Sequence, residues 1–168
     1  MRIFLLFFLA FFPLFAFETQ FKTFKSEFTQ LVSSMNSKII YKGSFYLTPN
    51  EAFWSYESPA NKQIYIKNKE VVIVEEDLEQ VIISKLNKIP NLSIIFKNAK
   101  KKSENKYETV YDGVLYDISL ENGEVNTVTY KDEFDNVVTI SLFNQERNIP
   151  LNSNIFNAKF PPHYDVVR

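Results

Sequence analysis

The 168-residue chain contains no cysteine. That excludes disulfides, thiolate nucleophiles, Cys-ligated zinc and any lipid anchor attached through a thiol. It has one histidine, His163, beside Pro161-Pro162 near the C-terminus. General acid–base work needs a positioned partner, so this residue reads as a surface histidine rather than a catalytic one. Only three glycines occur, and no G-x-S-x-G is present, so phosphate-cradling loops and nucleophile elbows are excluded. A surplus of charge of either sign is also lacking: 19 Lys and Arg stand against 20 Asp and Glu. With no basic field to steer it, a nucleic-acid partner is not expected. The acidic run Glu75-Glu76-Asp77 lacks the spacing of a calcium loop and reads as a solvated turn. No catalytic residue, cofactor or metal is expected.

The first sixteen residues, MRIFLLFFLAFFPLFA, differ in kind from the rest. Arg2 precedes an apolar run from Ile3 to Phe12, followed by Pro13 and Leu14-Phe15-Ala16. This is the layout of a secretory signal peptide. The run is shorter than the ~20 apolar residues of a membrane span. Residues 1–16 are therefore expected to direct export, leaving one domain over 17–168. A domain of about 150 residues is large enough to bury a core. Without Arg2 its charge is 18 − 20, or −2. Lacking cysteine, it must be held by packing alone.

From Phe17 onward apolar and polar residues alternate, as in half-buried strands. Phe24, Ser26, Phe28 and Gln30 share a face of the first strand. Ile39, Tyr41, Gly43, Phe45 and Leu47 share one over 38–47. Ala52, Trp54 and Tyr56 mark a third strand, Ile64 and Ile66 a fourth, Val71 to Val74 a fifth and Val81 to Leu86 a sixth. Later strands read as 106–112, 114–120, 125–131 and 136–143. Glu121-Asn122-Gly123 and Asp135-Asn136 are turn signals. Strands this close in sequence predict an antiparallel meander.

IPNLSIIFK is helical instead: Pro90 or Asn91 opens it, and Leu92, Ile95 and Phe96 fall on one face. About two turns long, it is marginal without a surface to rest on. Phe17 to Thr23 is expected to add a short helix, and Lys100-Lys101-Lys102 reads as a solvated loop. The fold class is thus mainly β with short helices. A sheet of ~10 strands must curl, split or be covered. If it curls without closing, its inner face is concave and apolar, and the aromatics around Trp54 form part of that wall. An unfilled apolar hollow in an exported protein calls for an apolar guest.

Several segments carry a family resemblance in order and spacing. They are SEFTQ, Ser26 to Gln30; KGSFYLTPNEAFWSYESP, with Gly43, Phe45-Tyr46, Pro49, Trp54-Ser55-Tyr56 and Ser58-Pro59; QIYIKNKEVVIVEEDLEQV, with Asp77-Leu78-Glu79-Gln80-Val81; and NIFNAKFPPHYDVV, with Phe156, Phe160 and Pro161-Pro162. Over nearly the whole exported part the chain resembles the periplasmic outer-membrane lipoprotein carriers, the LolA family. The resemblance implies an incomplete, unclosed β-barrel with a helical lid over an apolar cavity. It implies a periplasmic, non-enzymatic carrier of the acyl chains of lipoproteins. The implied partners are acylated lipoproteins, an inner-membrane ABC-type release complex driven by ATP, and an outer-membrane lipoprotein acceptor. A monomer is expected. Phe28, Phe45, Leu47, Trp54, Tyr56, Ile64 and Ile66 are the expected acyl-chain cavity, and Leu92, Ile95 and Phe96 the lid.

Members of the family often place an arginine before the turn proline, where it latches the lid. Here the turn is Leu47-Thr48-Pro49, and Thr48 cannot act as a charged, multi-donor latch. The family's Asp-Gly turn is replaced by Lys67-Asn68-Lys69, and the N-terminal helix is short. The acceptor of the same fold is itself lipidated at a cysteine, which this chain lacks. A lipoprotein-sensing regulatory domain of the same fold is the alternative reading. An exported hydrolase on a β scaffold is disfavoured by the missing nucleophile–base pair.

Overall fold

A computed structural model describes residues 21–85 and 91–168. Alternation becomes strand almost throughout: β1 (Phe24–Ser33), β2 (Lys38–Leu47), β3 (Glu51–Ser58), β4 (Lys62–Lys67), β5 (Glu70–Glu75) and β6 (Gln80–Lys85) form one meander. Helix α1 (Leu92–Asn98) follows, and then β7 (Lys100–Ser103), β8 (Lys106–Tyr111), β9 (Val114–Glu121), β10 (Glu124–Lys131) and β11 (Val137–Arg147) form a second. The short β12 (Asp165–Val167) ends the chain. The strand order is β12-β6-β5-β4-β3-β2-β1-β11-β10-β9-β8-β7. The two meanders are thus joined by β1 against β11, and no described ladder joins β12 to β7. The result is a mainly β, unclosed sheet.

The tight turns are made by residues that accept positive φ. Asn122 (53°) and Gly123 (81°) join β9 to β10, as the Asn-Gly pair predicts. Asn68 (52°) and Lys69 (66°) make the same type of turn between β4 and β5 without any glycine. At the β10–β11 turn, Asp132 Oδ1 accepts from Phe134 N and Asn136 N, both at 2.9 Å. Thr48 holds the β2–β3 turn: its Oγ1 accepts from Glu51 N at 3.0 Å.

Gly43 marks a crowded point of the sheet. A Cβ there would lie 2.0 Å from Ser55 O and 3.1 Å from Phe28 Cε1. The β2–β3 register slips beside it, between Lys42 and Gly43. A strand glycine where backbone and an aromatic ring close in is a common means of curving a sheet.

One apolar core fills the concave side. A smaller one on the convex side gathers Tyr65, Val74 and Val81 with Phe53, Ala158 and Tyr164. The C-terminal segment covers this convex patch, helped by the Tyr164 hydroxyl, which donates to Glu76 Oε2 at 2.6 Å.

Three sequence expectations are corrected. Lys100-Lys101-Lys102 is not a loop but most of β7, an exposed strand paired with β8. A lysine-rich edge strand discourages pairing with other chains. The sheet is not purely antiparallel, because β12 pairs with β6 in parallel. Phe21 to Thr23 are not helical; residues 17–20, the proposed leader 1–16, Leu86 and Pro90 lie outside the described residues.

Candidate functional site

The concave face is built by strand registers that stack apolar residues in rows. Phe45 pairs with Trp54, and Trp54 with Ile64. Leu47 pairs with Ala52, and Ala52 with Ile66. Phe28 lies opposite Gly43, whose missing side chain gives its ring room against β3. The second meander contributes Tyr116, Ile118, Leu120, Val125, Val128, Ile140 and Leu142 to the same core.

Helix α1 rests on this surface. Asn91 caps it, its Oδ1 accepting from Ile94 N at 3.3 Å. Leu92, Ile95 and Phe96 all point into the core and are at most 1% exposed. Outside the core, Lys97 and Asn98 are exposed. The helix therefore has the single apolar stripe expected of a piece held by packing rather than by its own propensity.

The structure brings all ten anticipated residues together. Phe28, Phe45, Leu47, Trp54, Ile64 and Ile66 are buried in the cluster that holds Leu92, Ile95 and Phe96, and Tyr56 is half-buried against it. A chain of rings connects α1 to β1, β2 and β3. Phe96 meets Phe24 edge-on at 6.1 Å, Phe24 stacks on Phe45 at 5.8 Å, and Phe45 leans on Trp54 at 4.6 Å. Phe28 then meets Trp54 at 5.2 Å and Tyr56 at 5.1 Å, edge to face in both. Such pairs add roughly 0.5–1.5 kcal/mol each beyond burial.

The two ends of this surface differ. Near α1 it is hydrocarbon: Phe24, Leu47, Ala52 and Ile66. At the other end it is phenolic. Tyr56 donates to Gln30 Oε1 at 2.9 Å, meets Tyr41 at 5.8 Å, and lies under Lys62 Nζ at 4.8 Å. Tyr116 and Tyr130 face each other across β9 and β10 at 4.9 Å. Burial pushes the Tyr116 phenol up to about 12, with Tyr111 and Asp112 adding to it. Burial, reinforced by Tyr41, also raises Tyr56; Tyr130 is raised by burial and then by Tyr56 and Tyr116. All three phenols stay neutral donors at any physiological pH. Tyr130 also borders a cleft of about 560 Å³ at the ends of β9 and β10, with Gly113, Val114, Asp132 and Val137.

Sequence reasoning missed Phe24 as a wall residue, although its alternation with Phe28 was in view, and the contribution of the second meander. The 116–118–120 alternation was the available signal. Arg147, which lies over Phe24, carried none. Among the described residues no three His, Cys, Asp or Glu side chains gather to hold a metal. His163 is exposed, 3.9 Å from Glu79 Oε2.

Comparison with known proteins bears on this geometry directly. Residues 19–120 match the family described as outer membrane lipoprotein carrier protein LolA. An outer-membrane lipoprotein carrier protein of Campylobacter jejuni is 47% identical over 167 residues, covering 99% of both chains. This chain belongs to the LolA family. A second carrier of that name, from Wolinella succinogenes, is 37% identical over 87% of each chain. Among solved structures, a LolA superfamily protein of Nitrosomonas europaea has a TM-score of 0.52 at 10% identity, covering 82% of this chain and 90% of that one. At that identity the likeness speaks to fold alone.

Proposed function

We propose that the protein is a periplasmic carrier that takes the acyl chains of lipoproteins onto the concave face of its unclosed sheet. Residues 1–16 direct its export and are removed. It receives cargo from an inner-membrane ATP-driven release complex and delivers it to an outer-membrane acceptor. It works as a monomer and catalyses no reaction. The names of its relatives in Campylobacter and Wolinella support the cargo class.

The observation that carries the reading is the seating of α1. A seven-residue helix, too short to be stable alone, covers an apolar surface that a large sheet has left without a second sheet. Its displacement uncovers Phe24, the ring that Phe96 meets, and opens the way to the cluster behind it. Each buried CH₂ of an acyl chain is worth ~0.8 kcal/mol, so one chain stabilises the complex by on the order of 10 kcal/mol. Acylated proteins cannot cross water unassisted at that cost. An apolar wall of similar quality makes exchange nearly neutral, and small differences then set its direction. Residues Phe28, Phe45, Leu47, Trp54, Tyr56, Ile64 and Ile66 form that wall, and Leu92, Ile95 and Phe96 the lid.

The test is isolation of the exported protein, followed by mass spectrometry of what co-elutes and a transfer assay. Acylated proteins should co-elute and pass to a lipoprotein acceptor. Retention of the cargo in the presence of acceptor would favour a sensing domain, and absence of acylated passengers would overturn the reading.

A further inference from the structure

Two buried side-chain nitrogens among the described residues meet no acceptor: Arg147 Nε and Trp54 Nε1. The guanidinium of Arg147 is engaged elsewhere, by Glu124 and by Gln145. The Trp54 side chain has no other polar atom. Its ring is 4% exposed and enclosed by Phe28 and Phe45. An indole N–H can only donate, and a buried donor with no acceptor pays its full desolvation. A phenylalanine would fill the same wall without that penalty, so the donor calls for an explanation.

A pure hydrocarbon guest would leave the N–H orphaned. An acyl chain is not pure hydrocarbon: it is attached through an ester or amide carbonyl, which only accepts. The surroundings fit such a head. From Trp54 toward α1 the wall is apolar, through Phe45, Leu47 and Phe24. From Trp54 the other way it becomes phenolic at Tyr56, Tyr116 and Tyr130, with Gln30 beside them. Trp54 stands where hydrocarbon gives way to hydrogen-bonding groups.

We propose that Trp54 Nε1–H donates to the carbonyl oxygen at the head of a bound acyl chain, so that the tail runs toward α1 and the head group lies at the tyrosine-lined end. The inference rests on the carrier reading and adds the chemistry that orients the cargo. It makes the linkage, and not chain length alone, part of what is recognised.

Two measurements test it on the intact exported protein. The first compares a synthetic lipopeptide bearing ester-linked palmitoyl chains on a glyceryl-cysteine with its ether-linked counterpart, which has no ester carbonyls. Wild-type protein should bind the ester form ~10-fold more tightly, and Trp54→Phe should reduce that preference to about twofold. Equal wild-type affinities would overturn the inference while leaving the carrier reading intact, and this arm needs no variant to fold. Failure of both lipopeptides to bind would instead overturn the carrier reading, and the inference with it. The second uses the fact that Trp54 is the only tryptophan. A palmitoyl chain brominated next to its carbonyl should quench the indole emission more strongly than one brominated at its terminal carbon. The reverse order would overturn the proposed orientation.

Discussion

Phe24 and Arg147 are opposed across the β1–β11 ladder, and the guanidinium lies over the ring, 5.0 Å from its centroid. On the other side of β1, Phe24 is opposed to Leu47, the residue before Thr48. Phe24 in turn meets Phe96 of α1. A fixed positive charge therefore stands two strands from Thr48, across β1, against the same ring that α1 meets. Replacing Arg147 with Met should lower stability to urea by about 1–2 kcal/mol, from the lost cation–π contact and ion pair. It should also speed hydrogen exchange of the 92–98 amides more than that of β3 and β4. Uniform exchange across the two would show that Arg147 does not steady the helix.

Ile95 is fully buried on the apolar stripe of α1. Glutamate there must either bury a carboxylate, at several kcal/mol, or lift the helix from the sheet. On the carrier reading, Ile95→Glu is expected to abolish cargo loading, because a carboxylate on that stripe would face the bound tails. Cargo recovered with the isolated variant measures this; full loading with normal far-UV circular dichroism would remove α1 from the mechanism.

At Gly43 a methyl group would collide with the Ser55 carbonyl. The neighbour is backbone and cannot swing aside. Gly43→Ala should destabilise by about 2–4 kcal/mol, read from the urea midpoint, through strain where the sheet bends. A loss below about 0.5 kcal/mol would mean that the β2–β3 bulge relaxes freely.

Asp132 gives a pH dependence of definite sign. Partial burial raises its pKa, but hydrogen bonds from the Asn136 side chain and the amides of Phe134 and Asn136 outweigh that, and the net shift is downward. A depressed folded-state pKa contributes stability above the unfolded value of about 4, and the contribution is lost as pH falls through the folded value. Wild type should therefore lose stability below about pH 4 more steeply than Asp132→Asn, as seen in paired thermal melts. Parallel curves would exclude Asp132 as a source.

Much of this was legible because strand alternation is local. Phe45, Leu47, Trp54 and Tyr56 disclose their shared face through a period of two, and Asn91 with Leu92, Ile95 and Phe96 discloses the helix through cap and stripe. What stayed hidden depends on distant partners. Lys100 to Lys102 have no strand-like pattern of their own and are extended because β8 lies beside them. Asp165 to Val167 join β6 in parallel only after the C-terminal segment has crossed the convex face. Arg147 is an ordinary charge in sequence, and only the β1–β11 register places it over Phe24. The pairing of β1 with β11 sets two meanders around one interior, and no short-range signal announces a contact spanning more than a hundred residues.

Among the described residues no ladder joins β7 to β12, and this has a mechanical consequence. In a closed barrel the hydrogen-bonded circumference fixes the bore, and widening it means breaking a ladder. A split ring can dilate by spreading its two lips while every rung stays intact. Guests of different girth would then be accommodated at the cost of twist and side-chain repacking, without rupture of the wall that holds them.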